Sequence, residues 1–366
     1  MQLAPPRAVA ALAAAEREPA LVTWRSLAPT YALAAGATLL IALLAVSWGT
    51  VHIPPQTTLS IVLNHLPWVS TGEHSATYDA IVWDVRMPRV VLAGLVGATL
   101  AFAGAAYQGV FRNPLAEPYL MGVAAGASVG ATLIIVSPLF VTAGFLSPVP
   151  PAAFAGALIA VALAYSLARV GHIVPTTSLI LSGVAVSSVG TSLVTYLMLA
   201  YNTRTLAILN WLLGGFNTAT WTKVAIALPY MIVGAIVVLP YARILNVMQL
   251  DEDQARQLGV NVERVQLLVL GFASLATAAA VSVSGLIGFV GLIVPHTVRM
   301  VWGPDYRRVL PLSGFLGASF LIVADMIART IDPTFEVPIG VITALVGAPF
   351  FLLLLRRQGR TARGRL

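Results

Sequence analysis

Side chains able to do chemistry are scarce in this sequence, and one of them stands in a costly place. Asp325 is the one acid well inside an apolar run. A carboxylate at the centre of a membrane helix costs about 2.5–3.5 kcal/mol to insert. Arg329 follows four residues later, which puts the two on one helix face as an ion pair. Proton coupling is one reading of Asp325. A structural pair is the favoured one, because no second acid inside an apolar run completes a relay. The five histidines are scattered, with no HExxH, so a zinc protease is unsupported and no metal site is read. His296, after Pro295, reads as structural. No G-x-S-x-G is present. The absence of cysteine removes disulfides, thiolate metal sites and a cysteine nucleophile. The single lysine, Lys223, lies in Trp-Thr-Lys-Val. A phosphate-binding loop needs Gly-Lys-Ser/Thr after a glycine-rich turn. If ATP drives this protein, another polypeptide binds the ATP.

The elements that carry these residues are membrane spans. The chain of 366 residues is 58% hydrophobic and 10% charged, against about 25% charged in soluble domains. A span needs about 20 apolar residues. That rule gives ten spans, at about 29–48, 88–110, 119–138, 151–169, 176–200, 223–242, 265–284, 286–301, 309–328 and 337–355. The expected fold is therefore all-α and polytopic, with residues 29–355 as a single ten-span domain. Residues 1–28 mix charges with alanine and proline and read as a cytoplasmic tail, partly an amphipathic surface helix, not a cleaved signal peptide. Residues 356–366 read as a basic cytoplasmic tail. The segment from Leu206 to Trp221, broken by Gly214-Gly215, reads as interfacial.

Charge tests the topology independently. With ten spans, 16 of the 21 basic residues fall on the side of both termini. The other side holds Arg86, Arg89, Arg204, Lys223 and Arg329. Positive charge stays cytoplasmic, so both termini are inside. The net charge of +7 thus reflects orientation and not nucleic-acid binding.

Small residues crowd several spans. Gly122, Gly126 and Gly130 recur every fourth residue and share a helix face. Such faces let helices approach closely in lipid. Between two apolar runs lies a polar break, Arg112-Asn113-Pro114-Leu115-Ala116-Glu117-Pro118. Irregular backbone at membrane depth lines a pathway or meets a partner. The run Arg86-Met-Pro-Arg89, the glycine-rich span and the break through Gly130 resemble the permeases of bacterial type II ABC importers for iron complexes, haem and vitamin B12. So do Gly285 to His296, Ala324-Asp325 to Arg329, and Pro338-Ile-Gly340 to Gly347-Ala-Pro349. The resemblance extends from about residue 30 onward.

The resemblance implies roles residue by residue. Arg86, Arg89 and Arg329 would receive glutamates from the two lobes of a substrate-binding protein. Exposed charges of that kind steer encounter and fix orientation. From the residues alone, the plainer readings are headgroup or loop pairing, with Asp84 for example, and the Asp325 pair for Arg329. The segment Leu250–Arg264 resembles the ATPase-coupling region, with Asp253, Ala255, Arg256, Gln257, Leu258 and Gly259 at its centre. Leu258 and Val262 are spaced to face one way if the helix survives Gly259, as in a helix whose apolar tip enters a partner's groove. Asn113, Leu115, Thr176 and Thr177, with Ser178 within the register, match cytoplasmic gate residues. Thr176 reads equally as a helix N-cap.

The expectation is an importer permease without its own ATP site, in the bacterial inner membrane. Its partners would be a second copy of itself, two ATPase subunits carrying ATP and Mg, a binding protein and lipid. The cargo would be a ferric siderophore, cobalamin or haem, the first on family frequency alone. No cofactor is expected on this chain. An ion-coupled secondary transporter using Asp325 is the alternative, and an intramembrane enzyme lacks any catalytic constellation.

Overall fold

The computed structural model describes residues 24–49, 51–65, 68–69, 72, 75–139, 147–169, 171, 174–250, 252–332 and 336–363. All regular elements among them are helical. Residues 1–23, where most of the N-terminal tail was placed, lie outside the described residues.

Helix α1 runs Trp24–Ser47 and so begins inside the segment read as tail. A short surface helix α2, Pro55–Asn64, follows. Helix α3 is Met87–Phe111, and it continues a helical lead-in from Ala76 through a π turn at Ala80–Arg86. Helices α4 (Val123–Val136), α5 (Val149–Ala168) and α6 (Thr176–Ala200) come next. The short α7, Thr205–Leu212, falls within the segment read as interfacial. Helix α8 covers Trp221–Val247 and includes a 3-10 turn at Leu239–Tyr241. The six-residue α9, Glu252–Gln257, leads to α10 (Val262–Ser284), α11 (Val290–Trp302), α12 (Tyr306–Ala328) and α13 (Ile339–Arg363).

Seven of these helices are long and apolar enough to cross a bilayer: α1, α3, α5, α6, α8, α10 and α12. Three shorter apolar helices, Val123–Val136, Val290–Trp302 and Ile339–Leu353, fall in the remaining expected spans. The division of 265–301 follows from backbone conformation. Gly285 (φ 70°) and Phe289 (φ 69°) both take left-handed backbone, which an α-helix cannot continue. Helix α10 therefore stops at Ser284, and α11 starts only at Val290.

Helix α3 is the centre of the body, with 78% of its apolar window buried, and α10 follows at 72%. Close backbone approach makes this possible. Gly104 of α3 faces Gly291 of α11, and Gly97 of α3 faces Gly317 of α12, so that any Cβ there would strike the opposing carbonyl. Gly126 and Gly130 do the same between α4 and α5. Gly122 differs from the pattern expected of it. It sits outside α4 at φ 81° and ends a 3-10 turn, Pro118–Met121. The third span is therefore a 3-10 turn and a short helix, not one helix from residue 119.

At the other extreme, only 17% of the α1 window and 22% of the α6 window are buried by the chain itself.

Candidate functional site: an outer ion-pair knot and a cytoplasmic junction

The outer arginines gather in one place. Arg89 points Nε and Nη2 at the Asp325 carboxylate, at 2.9–3.0 Å. Its Nη1 donates to both oxygens of Glu336, at 2.9 and 3.0 Å. The side chain of Asp325 is 1% exposed and that of Glu336 48%. Arg329 reaches Asp325 only at 3.8 Å, without a hydrogen bond from its Nε. The pair expected from the four-residue spacing is thus the secondary one. A residue 236 positions away in sequence supplies the main partner.

Arg86 is buried and turned inward. Its Nη1 donates to the carbonyls of Val46 (2.9 Å) and Ser47 (3.1 Å), and its Nη2 to that of Val51 (2.5 Å). Arg329 Nη2 donates to the Ala45 carbonyl. The last carbonyls of a helix lack intrahelical partners and carry its negative dipole end. Arg86 and Arg329 together cap α1 and tie it to α3 and α12. Gly49 lies flat against the Arg86 guanidinium, where a side chain would collide. Asp84 is exposed and bonds neither Arg86 nor Arg89. Glu336 escaped the reading of the sequence, although it stands directly before the Val337-Pro-Ile-Gly340 run. Arg89 and Glu336 sit at the rim of an outer cavity of about 350 Å³, also lined by Asn210, Asn217 and Phe216.

The cytoplasmic residues divide into two neighbouring groups. After α3, Arg112 takes left-handed backbone (φ 50°) and closes the helix. Asn113 Oδ1 then accepts from the Leu115 amide at 2.9 Å, and the Asn113 carbonyl accepts from Ala116 at 3.1 Å. Asn113 therefore folds the break into a turn. Thr176 is the first residue of α6. Pro175 holds the N-cap position and makes no side-chain cap, so Thr176 is not the cap. No hydrogen bond joins Asn113 or Leu115 to Thr176, Thr177 or Ser178. The break and α6 instead border an open cavity of about 410 Å³, lined by Glu117, Tyr119, Leu120, Val184, Ser188 and Thr191. His296 packs edge-on to Phe350 of α13, in keeping with a structural role.

The second group ties the segment Leu250–Arg264 to the rest of the body. Asn246, near the end of α8, donates Nδ2 to Asp305 Oδ1 at 2.7 Å. Its Oδ1 accepts from the Tyr306 amide at 2.8 Å. Asp305 caps α12 by accepting from the Arg307 amide at 2.9 Å. Burial pushes the Asp305 carboxyl up, but hydrogen bonds from Arg307 and Asn246 outweigh it and hold the group below the usual carboxylate range. Gln249 Nε2 donates to the Gly109 carbonyl of α3 at 3.0 Å, and Arg112 Nη1 to the Leu250 carbonyl at 3.2 Å. The start of that segment is thereby anchored to the helix that leads into the break.

Within that segment, α9 ends at Gly259 (φ 83°), and the Val260 amide reaches back to the Ala255 carbonyl at 3.1 Å. The helix does not survive Gly259. Leu258 is 65% exposed and Val262 is 2% exposed, so the two do not share a face. Ala255 is buried, while Arg256 pairs with Glu263 at 2.7 Å.

Residues 37–357 match the model of the FecCD transport family. The chain belongs to the FecCD transport family. Over 305 residues it is 46% identical to the cobalamin import system permease protein BtuC of Halobacterium salinarum, covering 81% of each chain. It is 37% identical to the hemin transport system permease protein HmuU of Yersinia pestis, over 78% of this chain and 86% of that one. A solved ABC transporter of proposed metal-chelate type, in an inward-facing conformation, superposes with a TM-score of 0.75 at 29% identity. That match covers 90% of this chain and 99% of the other. The fold is that of an ABC importer permease, and this FecCD chain is a multi-pass membrane transport protein.

Proposed function

We propose that two copies of this chain form the translocation pathway of an importer in the bacterial inner membrane. A binding protein delivers a metal chelate from outside, and two ATPase subunits power its passage. The carrying observation is α6, a helix of spanning length with 22% of its window buried and no charged residue from Thr176 to Ala200. Its exposed face carries Ser188, Thr191, Ser192 and Thr195, whose hydroxyls at 188, 192 and 195 bond to their own helix. A wall of that kind suits weak contact with a large cargo. A second copy covers what one copy leaves open, with α13 contributing exposed Leu345 and Val346. Arg89 faces the binding protein, and the segment Asp253–Gly259 faces the ATPase. Asn113, Leu115 and Thr176–Ser178 border the inner mouth as its gate. The chain itself binds no cofactor; ATP and Mg belong to the ATPase. ATP-dependent differential contacts shift the assembly between states.

The higher of the two identities above favours cobalamin over haem as the cargo to test first, with ferric siderophores beside them. The test is uptake by proteoliposomes holding this chain, its ATPase and its binding protein, with labelled cobalamin, haem and a ferric hydroxamate in parallel. ATP-dependent accumulation of one cargo is expected. Uptake without the ATPase, driven by a proton gradient and lost in a folded Asp325→Asn variant, would replace this reading with a secondary transporter.

A further inference from the structure

The donors of Arg89 are unequally committed. Nε and Nη2 hold Asp325, which is 1% exposed and inaccessible from outside. Arg89 and Glu336 both line the outer cavity, and Nη1 is the nitrogen that donates to both Glu336 carboxylate oxygens. Arg86 points at α1 carbonyls and Arg329 at Ala45 and Asp325. Of this trio Arg89 is the one that lines the outer cavity, and half-exposed Glu336 occupies its Nη1 there.

We propose that Glu336 is a resident carboxylate that an acidic side chain of the docking protein replaces on Arg89. The inference rests on the docking reading above and adds an exchange step to it. Half exposure makes Glu336 the partner that can leave: an exposed ion pair is worth about 0.2–1 kcal/mol, whereas the buried Asp325 contact is not open to competition. Departure of Glu336 also matters inside the chain. It stands at the head of α13, whose lead-in is otherwise tied by the Val337 amide to the Ala328 carbonyl (3.2 Å) and by the Gly340 amide to the Leu213 carbonyl (3.1 Å). Docking thus loosens the outer end of the helix that carries Leu345 and Val346 on the face proposed to meet the second copy, with no change at the buried pair.

The experiment is a double-mutant cycle on docking affinity. It uses the permease–ATPase complex in nanodiscs and the binding protein that supports uptake in the reconstitution above. Glu336→Gln removes the competitor and is expected to tighten Kd by about two- to fivefold, the range that an exposed pair permits. In an Arg89→Gln background the same change is expected to do nothing. An equal gain in both backgrounds would mean plain relief of like-charge repulsion, and no gain in either would mean no exchange; both overturn the proposal. Asp84→Asn supplies a second comparison that leaves the buried pair intact. It removes one negative charge from the same face without touching Arg89, and it must tighten docking less than Glu336→Gln does. If Arg89→Gln alone leaves Kd unchanged in folded protein, the docking reading itself fails, and that outcome is distinct from failure of the exchange.

Discussion

The two ends of this molecule hold their helices by different means. At the outer end a carboxylate with 1% exposure pairs with Arg89 and Arg329, and Arg329 and Arg86 hold the last carbonyls of α1. At the cytoplasmic end the joint is the amide of Asn246, between the α12 cap and the foot of α8, helped by Gln249 on the Gly109 carbonyl and Arg112 on the exposed Leu250 carbonyl. A buried ionic group is stable only as a set, because removing one member leaves the others charged and unpaired. Asp305 is ionised too, but its side chain is 20% exposed and Arg307 stands beside it as a counter-charge, so losing the Asn246 bond costs less than stranding a buried ion. The outer knot is therefore expected to stay fixed around Asp325, and the larger rearrangement during transport is expected at the cytoplasmic end, next to the break and the segment proposed to face the ATPase.

The hardest blow to that contrast is Asp325→Ala. It strands Arg89 and Arg329 without their buried carboxylate and is expected to destabilise by about 3–5 kcal/mol. Thermal unfolding in nanodiscs reads this directly. A midpoint equal to wild type would show that the outer end is not a fixed point. Asn246→Leu tests the other end. It leaves the Tyr306 amide and Asp305 each short of one partner, for about 1–3 kcal/mol at most. Its larger effect is expected in function. ATP hydrolysis persists while cargo transported per ATP falls several-fold. A normal transport-to-hydrolysis ratio would remove this junction from the coupling path.

Much of the architecture was legible in the sequence because bilayer thickness sets span length and the distribution of arginine sets orientation. The ten runs and the break after α3 needed no tertiary information. Close packing was legible too, since Gly126 and Gly130 recur at four-residue spacing on the face by which α4 meets α5. What was hidden depends on contacts distant in sequence or on the handedness of single residues. Nothing local to Asp325 announces Arg89, and the four-residue spacing to Arg329 points to the weaker partner. Arg86 looks like an outer-surface charge until α1 is seen to end against it. Gly259 and Phe289 decide helix ends by taking positive φ, which composition does not reveal at a phenylalanine. Asn246 carries no motif; its role emerges only because α8 and α12 meet there.

The smallest expected effect on the fold is at Leu258, and there the contrast becomes sharpest. The side chain is 65% exposed at the tip of α9, while Ala255 on the same helix is buried and keeps the helix on the body. Leu258→Ser removes no internal contact of consequence, so stability is expected to change by no more than about 0.5 kcal/mol. An exposed leucine beside a glycine-ended helix is instead suited to burial in a partner's groove, where a full leucine contributes about 1.5–3 kcal/mol. Binding of the ATPase subunits to the Leu258→Ser variant is therefore expected to weaken by about tenfold or more, at an unchanged unfolding midpoint. A surface that holds its partner through one apolar tip can be gripped and turned without unravelling. Unchanged ATPase affinity in this variant would move the contact elsewhere in 250–264 and would separate the exposed tip from the task that the anchored foot of α8 shares with the break.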